Sequence, residues 1–351
     1  MPTPRSQIVD FDAPGLYHCI SRCVRRAFLC DGAGTDRKAW IHDRMILLSN
    51  VFAIDVGGFS ILDNHFHSVL AIHPERVPGW SDLDIARRWY RVFPLSIQRW
   101  AVEVAERDPV LRKKINVLGL LPPELAIRLV AGLGERIAIL RKRLSSISWF
   151  MRCLKHHIAV LANREDECTG HFWEGRFKSI RILDVAALLK TLLYVDLNVI
   201  RAGLAPTPES SPHTSVQDRI HVHQHYEKKR GRRRTAPPRA RWLLRPGRHR
   251  SPDQGGWLAP IRHLLEITVE QYLSTVDLVG RTARTGTQCT IPRDLAPILE
   301  RLELTAEDLT EVAAAQRGSM PRGTVAGSPA SCAAEAARRG ARYVLSAFRL
   351  G

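Results

Sequence analysis

The pattern of apolar and polar positions near the start of the chain predicts a strand, a helix and two further strands. Residues 15–25, "GLYHCISRCVR", alternate, so that Leu16, His18, Ile20 and Arg22 share one face of a strand. Turn residues follow, and apolar side chains then recur at helical spacing through "RKAWIHDRMILLSNVF". Two apolar runs in "AIDVGGFSILDNHFHSVLAI", separated near "LDN", are typical of a hairpin.

Helical periodicity dominates the next part of the chain. Residues 76–150 repeat apolar positions every three or four residues and predict a helical insertion. The segment "GHFWEGRFKSIRIL" then indicates a loop followed by a strand. A strongly apolar helix is predicted from Asp184 to about Ile200, because aspartate commonly caps a helix start and Gly203 is suited to end one.

The charge of the chain indicates the kind of partner that it binds, because the chain is strongly basic. The 351 residues include 52 Lys and Arg against 35 Asp and Glu, which gives a formal charge of +17. A polyanionic partner is the simplest physical reason for such a balance. Residues 228–250 alone contain eleven Lys or Arg and no acid. We therefore interpret residues 211–256 as a basic, Pro- and Arg-rich linker, either nucleic-acid-binding or merely solvated. Residues 257–351 are expected to form a mainly helical C-terminal region, for which DNA binding is a candidate role.

The lengths of the apolar runs and the spacing of the cysteines indicate where in the cell the protein resides. No apolar run approaches the ~18 residues of a membrane-spanning helix, and the first residues lack the apolar core of a signal peptide. The seven cysteines are scattered, without a Cys-x-x-Cys pair, which disfavours a disulfide framework. We therefore expect an intracellular, cytoplasmic protein without a membrane partner.

Two histidines lie on the second predicted strand of the hairpin. Alternate side chains of a strand point to the same side, so His65 and His67 project together while Phe66 points into the core. Two imidazoles placed in this way can hold one metal ion, and they can equally be structural core residues. The strand pattern alone leaves both interpretations open.

The apolar helix carries a second candidate pair. Tyr194 and Asn198 are four residues apart and therefore share a helix face. A tyrosine can act as a covalent nucleophile, and an amide oxygen can bind a metal ion. Alternatively, Tyr194 packs among the apolar residues of the helix with its hydroxyl at the rim.

Four segments, taken in this order, resemble the single-tyrosine HUH transposases, in which HUH means histidine, hydrophobe, histidine. The branch includes the REP-associated tyrosine transposases and the transposases of small single-strand insertion sequences. The segments are "GLYHCISRC", "GFSILDNHFHSVL", "GHFWEGRFKS" and "LLYVDLNVIRAGL", spread over residues 10–210 around the helical insertion. The resemblance implies an α+β fold over residues 1–210, with helices behind a ferredoxin-like or RRM-like antiparallel sheet.

The resemblance also implies an activity and roles for individual residues. The chain would be a metal-dependent transposase that cleaves and rejoins single-stranded DNA and recognises hairpin DNA. A bacterial, nucleoid-associated location is implied with it. His65 and His67 would hold Mg²⁺ or Mn²⁺, with Asn198 as the third ligand. Tyr194 would attack the scissile phosphate and form a 5′-phosphotyrosine. The family commonly has Asn-Pro where this chain has Asn198-Val199, and without the proline the helix is free to continue past Asn198.

Several interpretations stay open beside this one. The basic side chains near the motifs are candidates for phosphate contacts or ordinary exposed charges: Arg22, Arg25, Arg176 and Lys178. Phe172 and Trp173 either stack on unpaired bases or belong to the core. Other candidate functions are a domesticated protein that binds hairpin DNA without cutting it, and a replication initiator or relaxase, which the lack of a helicase segment disfavours. A monomer and a homodimer are both compatible with the resemblance.

Overall fold

A computed structural model describes most of the chain. It covers residues 8–10, 12–32, 34–228, 267, 269–282, 289–301, 323–341, 343, 344 and 346. The basic residues 229–250, in which most of the predicted linker charge resides, lie outside these ranges. Among the described helices, none has both the length and the apolar character needed to cross a membrane.

Five strands form one mixed sheet in the order β2-β3-β1-β4-β5. They are β1 (Gly15–Arg22), β2 (Ile54–Ile61), β3 (His65–Ile72), β4 (Lys178–Ile182) and β5 (Val325–Ala326). β1 pairs with β3 and β4 in antiparallel fashion, β2 pairs likewise with β3, and β5 runs parallel to β4. The predicted α+β class is confirmed, but the expected wholly antiparallel sheet is wrong. With two residues, β5 is too short for alternation to reveal it.

Helices follow β1, β3, β4 and β5 along the chain. They are α1 (Arg37–Val51), α2 (Asp82–Tyr90), α3 (Pro94–Ala105), α4 (Pro109–Arg112), α5 (Pro123–Ala131), α6 (Gly134–Leu144), α7 (Ile147–Glu165), α8 (Val185–Asp196), α9 (Asn198–Arg201), α10 (Ser215–Lys228), α11 (Val269–Gly280), α12 (Ile298–Arg301) and α13 (Pro329–Arg338). The predicted order of strand, helix, strand and strand is confirmed by β1, α1, β2 and β3. The turn between β2 and β3 falls at residues 62–64, as expected.

One face of the sheet packs against α1 and α7. Tyr17 of β1 and Phe66 of β3 are completely buried there, together with Met45 of α1 and Phe150 of α7. The helical insertion adds to the same core, because the apolar stripes of α2, α3, α5 and α6 join it. The insertion is therefore continuous with this layer of the fold.

The other face of the sheet packs against α8. Val69 and Ile180 contribute to this second core, and Leu192 lies above them on the helix. Tyr272 of α11 is also buried in it, so the region after residue 257 completes the core of the sheet domain. The C-terminal region was expected to be mainly helical, and it also supplies β5. The segment expected to be linker begins with α10, which contacts β2.

Candidate functional site

The sheet face beneath α8 brings three histidines together. On β3, His65 is paired in register with Arg22 of β1 and His67 with Ile20, while His18 is paired with Val69. Directly opposed residues point to the same face, so His18, His65 and His67 all face α8. The side chain of Phe66 points the other way and contacts Trp173, with ring centroids 5.5 Å apart.

His18 and His67 form a buried pair. The Nε2 atom of His18 lies 2.8 Å from Nδ1 of His67, and both rings are fully buried. Burial lowers the pKa of His18 to about 3, with Lys178 contributing. Burial also lowers the pKa of His67 well below its ordinary value, and the charges of His18, His65 and Arg22 lower it further. Both imidazoles are therefore neutral at pH 7, which is the form that binds metal ions.

The hydrogen bonds of His65 select its tautomer. Its Nδ1 atom donates to Oδ1 of Asn64 at 2.5 Å, and Nδ2 of Asn64 donates to the carbonyl of Arg26 at 3.2 Å, which fixes the amide orientation. An amide oxygen only accepts, so Nδ1 of His65 carries the proton and Nε2 has the lone pair. Burial lowers the pKa of His65 to about 4, and Arg22 adds to the effect.

His67 offers a second lone pair at the same place. Within the described part of the chain, Nε2 of His67 and Nδ1 of His18 are buried without a hydrogen-bond partner. Two tautomer pairs satisfy the bond between the rings. In the one in which His67 donates from Nδ1, its Nε2 is free to bind an ion and His18 is the outer partner that orients it. The donor set therefore fits a metal ion held by two imidazoles.

The third ligand expected from the sequence, Asn198, is not joined to the two histidines by a hydrogen bond. Among the described residues, no group of three or more His, Cys, Asp or Glu side chains is arranged to hold an ion. The expected third ligand, Asn198, begins α9 directly after Leu197 and makes no hydrogen bond to His65 or His67. Leu197 has near-helical backbone angles, so α9 follows α8 after an interruption of one residue, and the chain turns away at Gly203 (φ +74°).

Tyr194 lies over the histidines. Its ring centroid is 5.5 Å from that of His67 and 6.0 Å from that of His18, with steep interplanar angles of 79° and 66°. The helix that carries it starts where predicted, because the Asp184 side chain accepts from the backbone N–H of Ala187 at 2.9 Å. Tyr194 is 9% exposed, at the edge of the buried face.

A buried carboxylate anchors the end of the tyrosine helix. Asp196 accepts from the backbone N–H of Val216 at 3.1 Å and from Arg219 at 3.2 Å, and the hydroxyls of Ser215 and Tyr272 donate to it. Burial raises the pKa of Asp196, although Arg219 and the two hydroxyls oppose the rise. This anchor, two residues after Tyr194, ties α8 to α10 and α11.

The expected DNA-contacting side chains divide into two pairs. Arg22 lies on the histidine face, and Lys178 is paired with Ile20 on the same face from β4. Arg25 is exposed in the short 3₁₀ helix Val24–Arg26, and Arg176 is exposed on the loop before β4. The two segments are joined by a hydrogen bond from the N–H of Glu174 to the carbonyl of Arg22. Burial lowers the pKa of Lys178, and the charge of Arg22 lowers it further.

Phe172 and Trp173 belong to the core. They are 3% and 8% exposed, and the indole N–H of Trp173 donates to the carbonyl of Lys155 at 2.9 Å. Neither ring is therefore open to an unpaired base, and the alternative of a stacking platform is excluded for this conformation.

Comparison with known proteins gives a distant likeness of fold. No family model matches the chain, and no curated protein matches it either. A solved structure described as a REP-associated tyrosine transposase bound to a REP hairpin aligns with 60% of this chain and 81% of that chain. The two are 11% identical and the TM-score is 0.34, so the likeness carries no argument about the site.

Sequence reasoning missed three contributors to the site. His18 was placed on the correct strand face, but its partner depends on the register of β1 with β3. Asn64 directly precedes the histidine pair in the hairpin turn, and that position is a signal for a residue that orients an imidazole. The hydrogen bond between Asp196 and Tyr272 joins residues 76 positions apart, so no local sequence pattern could predict it.

Proposed function

We propose that this protein cleaves and rejoins single-stranded DNA in a metal-dependent reaction with Tyr194 as the nucleophile. The observation that carries the proposal is the contact of the Tyr194 ring with His67, whose buried Nε2 has no partner within the described residues. Tyr194 contacts His67, and the ring of His65 lies next to that of His67, so a nucleophile and a metal-binding donor set share one sheet face.

The chemistry exchanges one phosphodiester for another. The phenolic oxygen of Tyr194 bonds to the phosphorus, the bond from phosphorus to the 3′ oxygen breaks, and the phenolic proton is replaced by one on the released 3′-OH. A bound Mg²⁺ or Mn²⁺ would polarise the phosphate and offset its developing charge. Phenolate is a better leaving group than an alkoxide, so a second 3′-OH can reverse the step and join a new strand.

The residues of the chain divide the remaining work. His65 and His67 would hold the ion, and Asn198 is the proposed third ligand. Asn64 and His18 orient the two imidazoles through Nδ1, and the Asp196 anchor holds the helix of Tyr194 over them. Arg22 and Lys178 on the site face, with Arg25 and Arg176 on the loops, would contact phosphates of the strand.

The direct test is formation of a covalent protein–DNA adduct. The full chain is incubated with stem-loop DNA in Mg²⁺ or Mn²⁺, denatured and examined for DNA linked through its 5′-phosphate. We expect an adduct from the wild type, none from Tyr194→Phe and an undiminished adduct from Tyr343→Phe, whose side chain is 73% exposed. An adduct that survives in Tyr194→Phe rules out the nucleophile. Tight hairpin binding without cleavage in either ion favours the binding-only alternative.

A further inference from the structure

Four arginines on α1, α6 and α7 form a cluster away from the histidine site. Arg136 and Arg143 lie on α6, Arg152 on α7 and Arg44 on α1. The charged ends of Arg143 and Arg152 are 4.2 Å and 4.8 Å from the ring centroid of Trp149. The charged end of Arg136 is 4.9 Å from the ring centroid of Trp100. Hereafter these four residues are called the arginine cluster.

The charges of the cluster are close together and uncompensated. Burial lowers the pKa of Arg143, and the charges of Arg152 and Arg136 lower it further. Burial raises the pKa of the Cys153 thiol to about 12, and the charges of Arg44, Arg152 and Arg143 oppose the rise, since all three lie near this thiol of α7.

Neighbouring arginines are neutralised, in contrast. Arg141 pairs with Asp82 at 2.6 Å and Arg87 with Glu124 at 2.9 Å. In the described ranges, no acidic side chain lies within 4 Å of any member of the arginine cluster, and Nε of Arg44 is buried without a partner. Like charges so placed destabilise a fold, which favours a role in binding an anion.

The tryptophan contacts indicate which part of a nucleic acid the cluster recognises. A guanidinium held on an aromatic ring is restrained, and its N–H donors remain available for phosphate oxygens. Trp149 is half-buried and has two arginines over it, so its ring is not open to a base. The cluster is therefore suited to the sugar–phosphate backbone, which conveys position and affinity without sequence information.

The cluster is also connected to the candidate site. Arg152 and Lys155 are neighbours on one face of α7. The ammonium of Lys155 donates to the carbonyl of Gly175 at 2.5 Å, directly before Arg176 on the loop that leads into β4. Lys155 thus links the arginine cluster, on helices that pack against the sheet face opposite the histidines, to the loop of Arg176 that precedes β4.

We propose that the arginine cluster binds the phosphate backbone of the DNA arm that flanks the cleavage point, independently of its sequence. This inference rests on the proposed function for the identity of the polyanion. It assigns to the helices that carry the arginine cluster the task of holding the arm while the histidine face of the sheet acts on the single strand.

The test measures binding without cleavage. Tyr194→Phe protein, without divalent ion, is titrated with a stem-loop that has a duplex arm of random sequence, and with the same loop without the arm. Replacing the exposed pair by Arg136→Gln and Arg152→Gln should weaken binding of the armed DNA roughly tenfold or more and reduce the salt slope by about 2. Binding of the loop without the arm should not change.

Two matched variants control for charge and for folding. Arg107→Gln with Arg112→Gln removes the same charge from exposed positions of the insertion and should leave the armed DNA bound as before. Arg136→Lys with Arg152→Lys keeps the charge and should retain most of the salt slope. The altered side chains are exposed, so every variant should fold. The melting temperature of the Gln pair should not fall by more than a few degrees, because the relief of like-charge repulsion offsets the lost contacts with Trp100 and Trp149.

Three outcomes would overturn the inference. The first is an unchanged affinity and salt slope in the Gln pair, and the second is an equal loss of affinity in the Arg107 and Arg112 control. The third is that the Gln pair binds armed DNA as the wild type does but binds phosphatidylglycerol vesicles more weakly, which would indicate a membrane surface. Failure of the proposed function is seen separately, as absence of the covalent adduct. Cluster-dependent binding of the arm by a chain that does not cut DNA would sustain the inference alone.

Discussion

A single hydrogen bond at Nδ1 orients each of the two proposed metal ligands, His65 and His67. Asn64 accepts from Nδ1 of His65, and His18 is the partner of Nδ1 of His67, so each ring has an outer contact on the same nitrogen. Outer partners of this kind fix the tautomer and the orientation of an imidazole and so raise its affinity for metal. Two different residue types therefore do equivalent work for the two proposed ligands.

Replacing Asn64 tests this arrangement. Asn64→Ala removes the acceptor for Nδ1 of His65, and we expect Mn²⁺ to bind roughly tenfold or more weakly. Titration of the protein with Mn²⁺, followed by electron paramagnetic resonance, measures the change without requiring cleavage. Asn50→Ala is the control, because Asn50 is exposed on α1 and donates to the carbonyl of Ile46. Equal Mn²⁺ affinity in the wild type and Asn64→Ala would contradict the assigned role.

At the scale of elements, the tyrosine helix is held from both ends. Asp184 caps its start, and Asp196 binds α10 and α11 at its end. The first contact is local and could be predicted from a single aspartate before an apolar run. The second requires Arg219 and Tyr272 to arrive from later parts of the chain, and a buried carboxylate is strongly destabilising without such partners.

Tyr272→Phe tests the distant half of the anchor. The variant removes one donor to the buried Asp196 carboxylate, so we expect a loss of about 1–3 kcal/mol in the free energy of unfolding. Denaturation in urea, monitored by circular dichroism, measures the loss. Slower adduct formation should accompany it, because α8 positions Tyr194. Tyr343→Phe, at an exposed position, should alter neither quantity; a wild-type unfolding curve for Tyr272→Phe would exclude the anchor.

At the scale of the whole molecule, the C-terminal segment closes the sheet. β5 lies beside β4, and Glu335 of α13 accepts from Arg338 and Arg339 at 2.8 Å while Arg181 of β4 lies 3.5 Å away. Burial acts to raise the pKa of Glu335, but the hydrogen bonds of Arg338 and Arg339 and the charge of Arg181 outweigh it and lower the pKa to about 2.

This shift predicts a defined acid sensitivity. The folded-state pKa of Glu335 is about 2 against an ordinary 4.5, so its stabilisation is complete above pH 4.5 and is lost as the pH falls towards 2. Glu335→Gln should lower the free energy of unfolding at pH 7 by about 1–3 kcal/mol and flatten its decline below pH 4.5. Thermal unfolding at several pH values measures both. Glu300→Gln, at an exposed position, should follow the wild type, and a Glu335→Gln profile that did the same would refute the prediction.

Local patterns account for what could be predicted. Alternation specified β1 and β3, periodicity specified α1, α8 and the helical insertion, and the facing direction of His65, His67 and Phe66 followed from the strand. The short β5 and the pairing of His18 with His67 could not be predicted, because both depend on which strands become neighbours. The same limit applies to the arginine cluster, whose members come from α1, α6 and α7.

The contact between Tyr272 and Asp196 also determines when during synthesis the anchor can be completed. The two residues are 76 positions apart. At cellular rates of about 5–20 residues per second, a ribosome needs roughly 4–15 s to add them. Early in that interval the nascent chain gains Ser215, Val216 and Arg219, and for the rest of it the Asp196 anchor lacks only the hydroxyl of Tyr272. The proposed active site therefore gains its last anchoring group late in translation, and a product that ended before residue 272 would contain His65, His67 and Tyr194 without that group.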